Sequence, residues 1–140
     1  MKGIELITPG GMPPTNGYSH AAVVPPGMRL VWTAGQVAMN ADGSLAAAGD
    51  WEAQTRLAFR NAAAALQAAG AGWSDVIKLT LYVIDTSELP TVRRVRDEFV
   101  DTAHPPTSTL VRVAGLFRPE VLIEVEAVAA VATSNDRTAG

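Results

Sequence analysis

Leu122-Ile123-Glu124-Val125-Glu126-Ala127-Val128 is the stretch on which the fold turns. Ile123, Val125 and Ala127 fall on one side and Glu124 and Glu126 on the other, the period of two of a β-strand with one buried face. The pattern predicts a long last strand over residues 121–133. Glu124 is the most informative residue in it. On an exposed sheet face it would be an ordinary solvated carboxylate, because alternation is what half-exposed antiparallel strands show. Partly buried, it would hold its proton more tightly and suit general acid–base work near neutral pH.

Working outward, residues 108–113 follow Pro105-Pro106 and read as a strand, and the β-rich run 76–84 reads as a central one. Between them Ser87 is expected to cap a helix over 88–100, with Pro90 in its first turn where a missing amide costs little. A longer helix is predicted over 51–69. Thr55, Ala58, Phe59, Ala62, Leu66 and Ala69 recur at the spacing of one helical face. Asp50 can accept the free amides of its first turn, and Gly70 can end it in the left-handed conformation. Upstream, 19–24 and 29–37 read as a hairpin joined by Pro25-Pro26-Gly27. Pro and Gly make residues 8–17 a loop. The order is β-β-(β)-α-β-α-β-β, with two helices on one face of a mixed sheet. Something must cover the other face, and a second copy of the chain is the expected cover.

Composition agrees with this. A chain of 140 residues, 48% hydrophobic and 18% charged, suits a single domain over 1–140 that buries a real core, with a frayed tail from about residue 133. The low charged share points to an oligomer. A net charge of −3 argues against nucleic acid as a partner. Cysteine is absent, which excludes disulfides, zinc–thiolate sites and a cysteine nucleophile. His20 and His104 have no metal-ligand spacing around them. No signal peptide opens the chain and no run of about 20 apolar residues would span a membrane, so a cytoplasmic protein is expected.

Other candidate residues are fewer. Tyr18 follows a flexible loop at a strand entry. It would serve as a core or interface aromatic, or its hydroxyl would orient a substrate. His20 reads as structural. Gly35, in Thr33-Ala34-Gly35-Gln36, marks either a bulge or a place where a ligand approaches the backbone. Ser108 and Thr109 lack the Gly-x-Ser-x-Gly elbow of a serine nucleophile. No phosphate-binding loop or metal motif occurs.

Four ordered motifs resemble the Rid family (RidA, also called YjgF). They are Gly17-Tyr18-Ser19-His20-Ala21, Val31-Trp32-Thr33-Ala34-Gly35-Gln36-Val37, the run from Pro106 to Leu116, and Ile123-Glu124-Val125-Glu126-Ala127-Val128-Ala129. The likeness spans roughly residues 15–132. It implies a chorismate-mutase-like α+β fold, and a homotrimer whose sheets face a central barrel with the helices outside. It also implies ligand clefts between subunits and hydrolysis of enamines and imines such as 2-aminoacrylate, without metal or organic cofactor. By the same resemblance Tyr18 matches a pocket tyrosine. Gly35, with Ala34 beside it, matches a glycine facing the ligand. Glu124 matches a glutamate that positions or activates water.

One departure stands out. Deaminating members carry an arginine that forks onto the substrate carboxylate, and the matching position here is Ser108. The neighbouring cysteine position is Leu110, with Thr109 between them, and an asparagine of the second helix becomes Arg93. Serine cannot supply the bidentate charged contact. Arg112 lies about 13 Å further along the strand. The sequence therefore implies a cofactor-free Rid-type hydrolase acting on a C–N bond of a small metabolite other than 2-aminoacrylate, in a specialised pathway. Its expected substrate-binding residues are Ala34, Gly35, Ser108, Thr109, Leu110 and Arg93, with Glu124 and Tyr18 catalytic. The alternative is a non-catalytic trimer that binds a small molecule or a protein. A ribonuclease fits poorly with an acidic chain.

Overall fold

The computed structural model describes residues 3–133, so most of the expected frayed tail lies outside the described residues. The strands are β1 (Glu5–Ile7), β2 (Ala21–Val23), β3 (Arg29–Trp32), β4 (Val76–Val83), β5 (Thr107–Arg112) and β6 (Ile123–Val131), and the helices are α1 (Trp51–Ala68) and α2 (Leu89–Arg96). Among the described residues, no helix is long and apolar enough to cross a membrane.

The main sheet runs β3-β6-β4-β5. β6 is antiparallel to both neighbours, while β4 and β5 are parallel. A parallel pair needs a crossover connection, and α2 supplies it. The two expected helices on one face of a mixed sheet are present. Ala58, Phe59 and Ala62 of α1 and Val92 of α2 pack on Leu79, Leu81 and Val83 of β4 and on Ile123 and Val125 of β6. Phe59 sits between Trp73 and Phe99, with ring centroids 5.1 and 5.2 Å away. The small alanines of α1 let the helix lie close to the sheet.

The start of α1 matches its reading: Asp50 Oδ1 accepts the amide of Ala53 at 3.0 Å. Gly70, at φ +82°, follows the helix as expected. Two expectations are corrected. Ser87 does not cap α2. Its own amide donates to Asp85 Oδ1 at 2.9 Å, and the helix begins after Glu88 with no side-chain cap and stops at Arg96. The hairpin is also absent. β2 pairs with β1, a strand not foreseen, and β3 pairs with β6 from the far end of the chain. The Pro25-Pro26-Gly27 turn is local, but it does not choose partners. The apolar edge of β6 offers β3 a longer ladder and a buried face.

Candidate functional site

β3 ends at Trp32, earlier than its sequence suggests, and the reason shapes the site. Trp32 pairs with Val128 and Gln36 with Val125, a register change of one residue. The extra residue makes a β-bulge at Ala34–Gly35. Gln36 and Val125 exchange backbone hydrogen bonds of 2.7 and 2.8 Å beyond it. Within the irregular stretch Thr33 Oγ1 accepts the Ala127 amide at 3.1 Å. The space over Gly35 is taken by Glu124. A Cβ there would lie 2.5 Å from Glu124 Oε1. The bulge and the close approach are thus one feature, and the group that approaches is the protein's own carboxylate.

Glu124 is half-buried on the sheet face opposite the helices. Burial first, and the Glu126 charge second, push its carboxyl above the ordinary carboxylate range. Tyr82 of β4 stands directly opposite Glu124 in the ladder. Its hydroxyl donates to Glu126 Oε1 at 2.5 Å, and that bond, ahead of burial, raises the phenol above its usual value. Two carboxylates thus share one strand face, one of them tied to a phenol.

Polar side chains of α1, one buried and one half-buried, hold this region in place. Gln54, 2% exposed, donates to Glu120 O at 2.7 Å and accepts from Leu122 N at 3.0 Å, clamping the entry to β6. Asn61 donates to Val37 O and Met39 O, both at 2.9 Å, holding the segment after the bulge. Sequence reading missed Gln54, Asn61 and Tyr82. The available signal was a glutamine beside the apolar stripe of a helix, where polar side chains are buried only with partners.

The other expected site residues gather elsewhere. Ser19 bridges Thr107 at the start of β5, and its hydroxyl donates to Pro105 O at 2.7 Å. This sets Tyr18 beside β5, its ring 5.6 Å from that of His20 in an edge-on contact. Tyr18 lines a cleft of about 430 Å³ together with Thr15, Ser19 and His104. Glu124 instead pairs with Tyr82, which pairs with Val111. From Thr107 to Val111 along the strands, and from Ser19 across to β6, the offsets are roughly 13 and 14 Å. Tyr18 and Glu124 of one chain therefore do not converge.

β5 itself divides the remaining candidates. Ser108 pairs with Leu79 and Leu110 with Leu81, so both lie on the helix side, and Leu110 packs against the core. Thr109 lies on the open side, where Lys78 Nζ donates to its hydroxyl. The three cannot line one pocket through their side chains. Ala34 O accepts a 3.3 Å bond from Gln36 Nε2. Arg93 is half-buried on α2, and its guanidinium makes no hydrogen bond or ion pair with the described residues. The arginine of α2 that does reach the Tyr18 loop is Arg96, 5% exposed. It donates to Asn16 O at 3.2 Å and pairs with Asp97 at 2.9 Å. A side chain at Gly17 would collide with its guanidinium. Among the described residues no group of His, Asp and Glu could hold a metal ion.

Comparison with known proteins places the chain in a group. The profile of the family described as Endoribonuclease L-PSP matches residues 10–131. A RutC family protein of Synechocystis is 30% identical over 131 residues, covering 93% of this chain and 98% of that one. A protein of Dermatophagoides farinae named 2-iminobutanoate/2-iminopropanoate deaminase is 30% identical over 105 residues, 75% of this chain and 80% of its own. The crystal structure of YyfB from Yersinia pestis, described as a conserved Rid family protein, superposes with a TM-score of 0.81 at 34% identity over 91% of this chain and 98% of that one.

Proposed function

Because the chain belongs to the Rid family, we propose that it hydrolyses the C–N bond of a small imine or enamine, with Glu124 handling the proton. The observation that carries this reading is the half-buried Glu124 carboxyl, seated over the side-chain-free Gly35 and held above its ordinary range by burial. A deaminase among the relatives supports the reaction class.

The chemistry needs few parts. Water adds to the carbon of the C=N bond. Glu124 takes one proton from the water and passes it to the nitrogen, giving a carbinolamine. Collapse of that intermediate forms the carbonyl and expels ammonia or an amine. An enamine enters the same path after moving its proton to carbon. A base within hydrogen-bond reach of the attacking water contributes roughly 10²–10⁴-fold, and backbone groups around Ala34 and Gly35 are close enough to Glu124 to help hold substrate.

The wide separation of Tyr18 and Glu124 within one chain supports a cleft shared between copies, in a cytoplasmic homotrimer that uses neither cofactor nor nucleic acid. Exposed Trp32 and Leu30, 68% and 41% accessible on the same open face, are apolar surface for a neighbour to cover. Light scattering should give about three times the 14.7 kDa chain mass. Ser108, which carries no charge to clamp a carboxylate, favours a neutral or bulkier substrate over 2-aminoacrylate, in a specialised pathway.

Glu124→Gln tests the role of the carboxyl. It keeps the size of the side chain and removes the base, so turnover of an enzymatically generated imine should fall ~10²–10⁴-fold while mass and fold persist. Glu126→Gln should cost far less at neutral pH. Turnover within a few-fold of the parent in Glu124→Gln would favour the rival reading, a trimer that binds its ligand without transforming it.

A further inference from the structure

Arg96 is a buried charged side chain that the hydrolysis does not use. It is 5% exposed and lies on the inward side of α2 with Val92 and Val95. An apolar residue would suit that place better, because burying a charge is unfavourable unless it is paired and hydrogen-bonded. Its contacts show what a guanidinium supplies there. Nε donates to Asp97 Oδ1 at 2.9 Å, which orients the group, and Nη1 donates to Asn16 O at 3.2 Å. The group also lies against Gly17, where a Cβ would collide with Nη2 and Cζ. The contact joins α2 to the backbone just ahead of Tyr18, 80 positions away in the chain.

Tyr18 needs such a hold. Gly17 stands at φ +75°, in the left-handed region that glycine enters freely, so the peptide ahead of Tyr18 is a swivel unless something closes it. Behind Tyr18 the chain is fixed. Ser19 N donates to Pro106 O at 3.0 Å, and the Ser19 hydroxyl donates to Pro105 O at 2.7 Å. Ahead of it, among the described residues, the side chains that reach the backbone of the loop over residues 8–17 are His20, whose Nε2 lies 3.1 Å from Pro13 O, and Arg96. Arg94, its neighbour on α2, is turned instead to Glu52. We propose that Arg96 is a positioning residue for Tyr18: by closing the Gly17 swivel it sets the angle at which the Tyr18 ring enters the cleft lined by Thr15 and His104. Its bearing on turnover rests on the reading of that cleft as part of the substrate site.

The test reads the edge-on contact of the Tyr18 and His20 rings in the full chain, as a proton NOE between them. The chain has two tyrosines and two histidines, and the Tyr18 signals are identified by their loss in Tyr18→Phe. In Arg96→Met the cross-peak should be lost, while the Tyr82 ring signals and a cooperative melt persist. In Arg96→Lys it should weaken, because an ammonium cannot spread fixed donors over Asn16 and Asp97. That variant keeps a charge in the site and gives the answer if the methionine variant does not fold. A cross-peak of parental strength in a folded variant overturns the proposal. So does a loss that extends to the Tyr82 signals, which marks Arg96 as a general support of the fold. The cross-peak decides the role of Arg96 whether or not a substrate is turned over.

Turnover decides the reading beneath it. With the imine that an amino-acid oxidase makes from leucine, kcat/KM should fall about 10- to 100-fold in Arg96→Met, the scale of a small misplacement. Added to Tyr18→Ala, the same change should cost nothing further, since Arg96 acts through Tyr18. An equal loss on both backgrounds overturns the proposal. A lost cross-peak with turnover intact upholds the hold on Tyr18 and refutes the placing of substrate beside it.

Discussion

The two faces of the central strands are made of alternate residues of the same chain, and they do different things. On the helix side Leu79, Leu81, Val83, Ile123 and Val125 are at most 2% exposed and make up the middle of the core. On the open side Lys78, Thr80, Tyr82, Glu124 and Glu126 are only half-buried, with Tyr82 bonded to Glu126 and Lys78 to Thr109. The difference teaches where stability and chemistry are separated. The helix side is completed within one chain by α1 and α2. The open side has half-buried polar groups, and exposed apolar residues, Leu30 and Trp32, at its margin. A substitution one residue along the strand therefore changes which property is measured.

Leu79→Ala tests the contrast with the largest effect. It leaves a cavity in the finished core, and chemical denaturation should show a loss of about 2–5 kcal/mol. Thr80→Ala, the next residue and on the other face, should stay within about 0.5 kcal/mol. Equal losses at the two positions would erase the distinction between the faces.

Gly35→Ala sharpens it from the open side. The new methyl would enter the space of Glu124 Oε1. That atom ends a flexible side chain, so the carboxyl moves and the backbone does not. Turnover should fall by about 10- to 100-fold, the scale of an ångström's misplacement, with little change in thermal stability. A large drop in melting temperature with turnover intact would show that the glycine serves the bulge alone.

The smallest expected effect is a pH dependence. The folded-state value of Glu124 is raised, so its contribution to stability is complete below the unfolded carboxylate range and is lost as pH climbs through the folded value. Glu124→Gln has no such slope. Its melting temperature relative to the parent should therefore rise between about pH 4 and about pH 7. A constant difference across that range would place Glu124 in an environment no different from water.

The two halves of the candidate site were legible to different degrees. Glu124 was visible because a carboxylate interrupts an apolar run, and Gly35 because a glycine ends a strand. Neither residue announces the other. Their contact depends on a one-residue register change between Trp32–Val128 and Gln36–Val125, which is a property of the pair of strands. Ser108, Thr109 and Leu110 were expected together, and the fold divides their side chains between two faces, since consecutive strand residues point to opposite sides. Arg93 was singled out on α2, yet Arg96, one turn on, is the arginine held against the Tyr18 loop. The helical period alone could not say which arginine the loop would meet.

What the sequence determined by itself is what short-range physics determines. The period of α1, its Asp50 cap, the alternation of β6 and the apolar runs of β4 and β5 each depend on residues a few positions apart, and each is present in the fold. Tertiary structure alone decided that β3 leaves the hairpin for β6, that Glu124 fills the space over Gly35, and that Tyr82 bonds Glu126. Those outcomes join residues far apart in the chain, where competing partners differ by the area and hydrogen bonds a whole ladder offers, and no local pattern carries that sum.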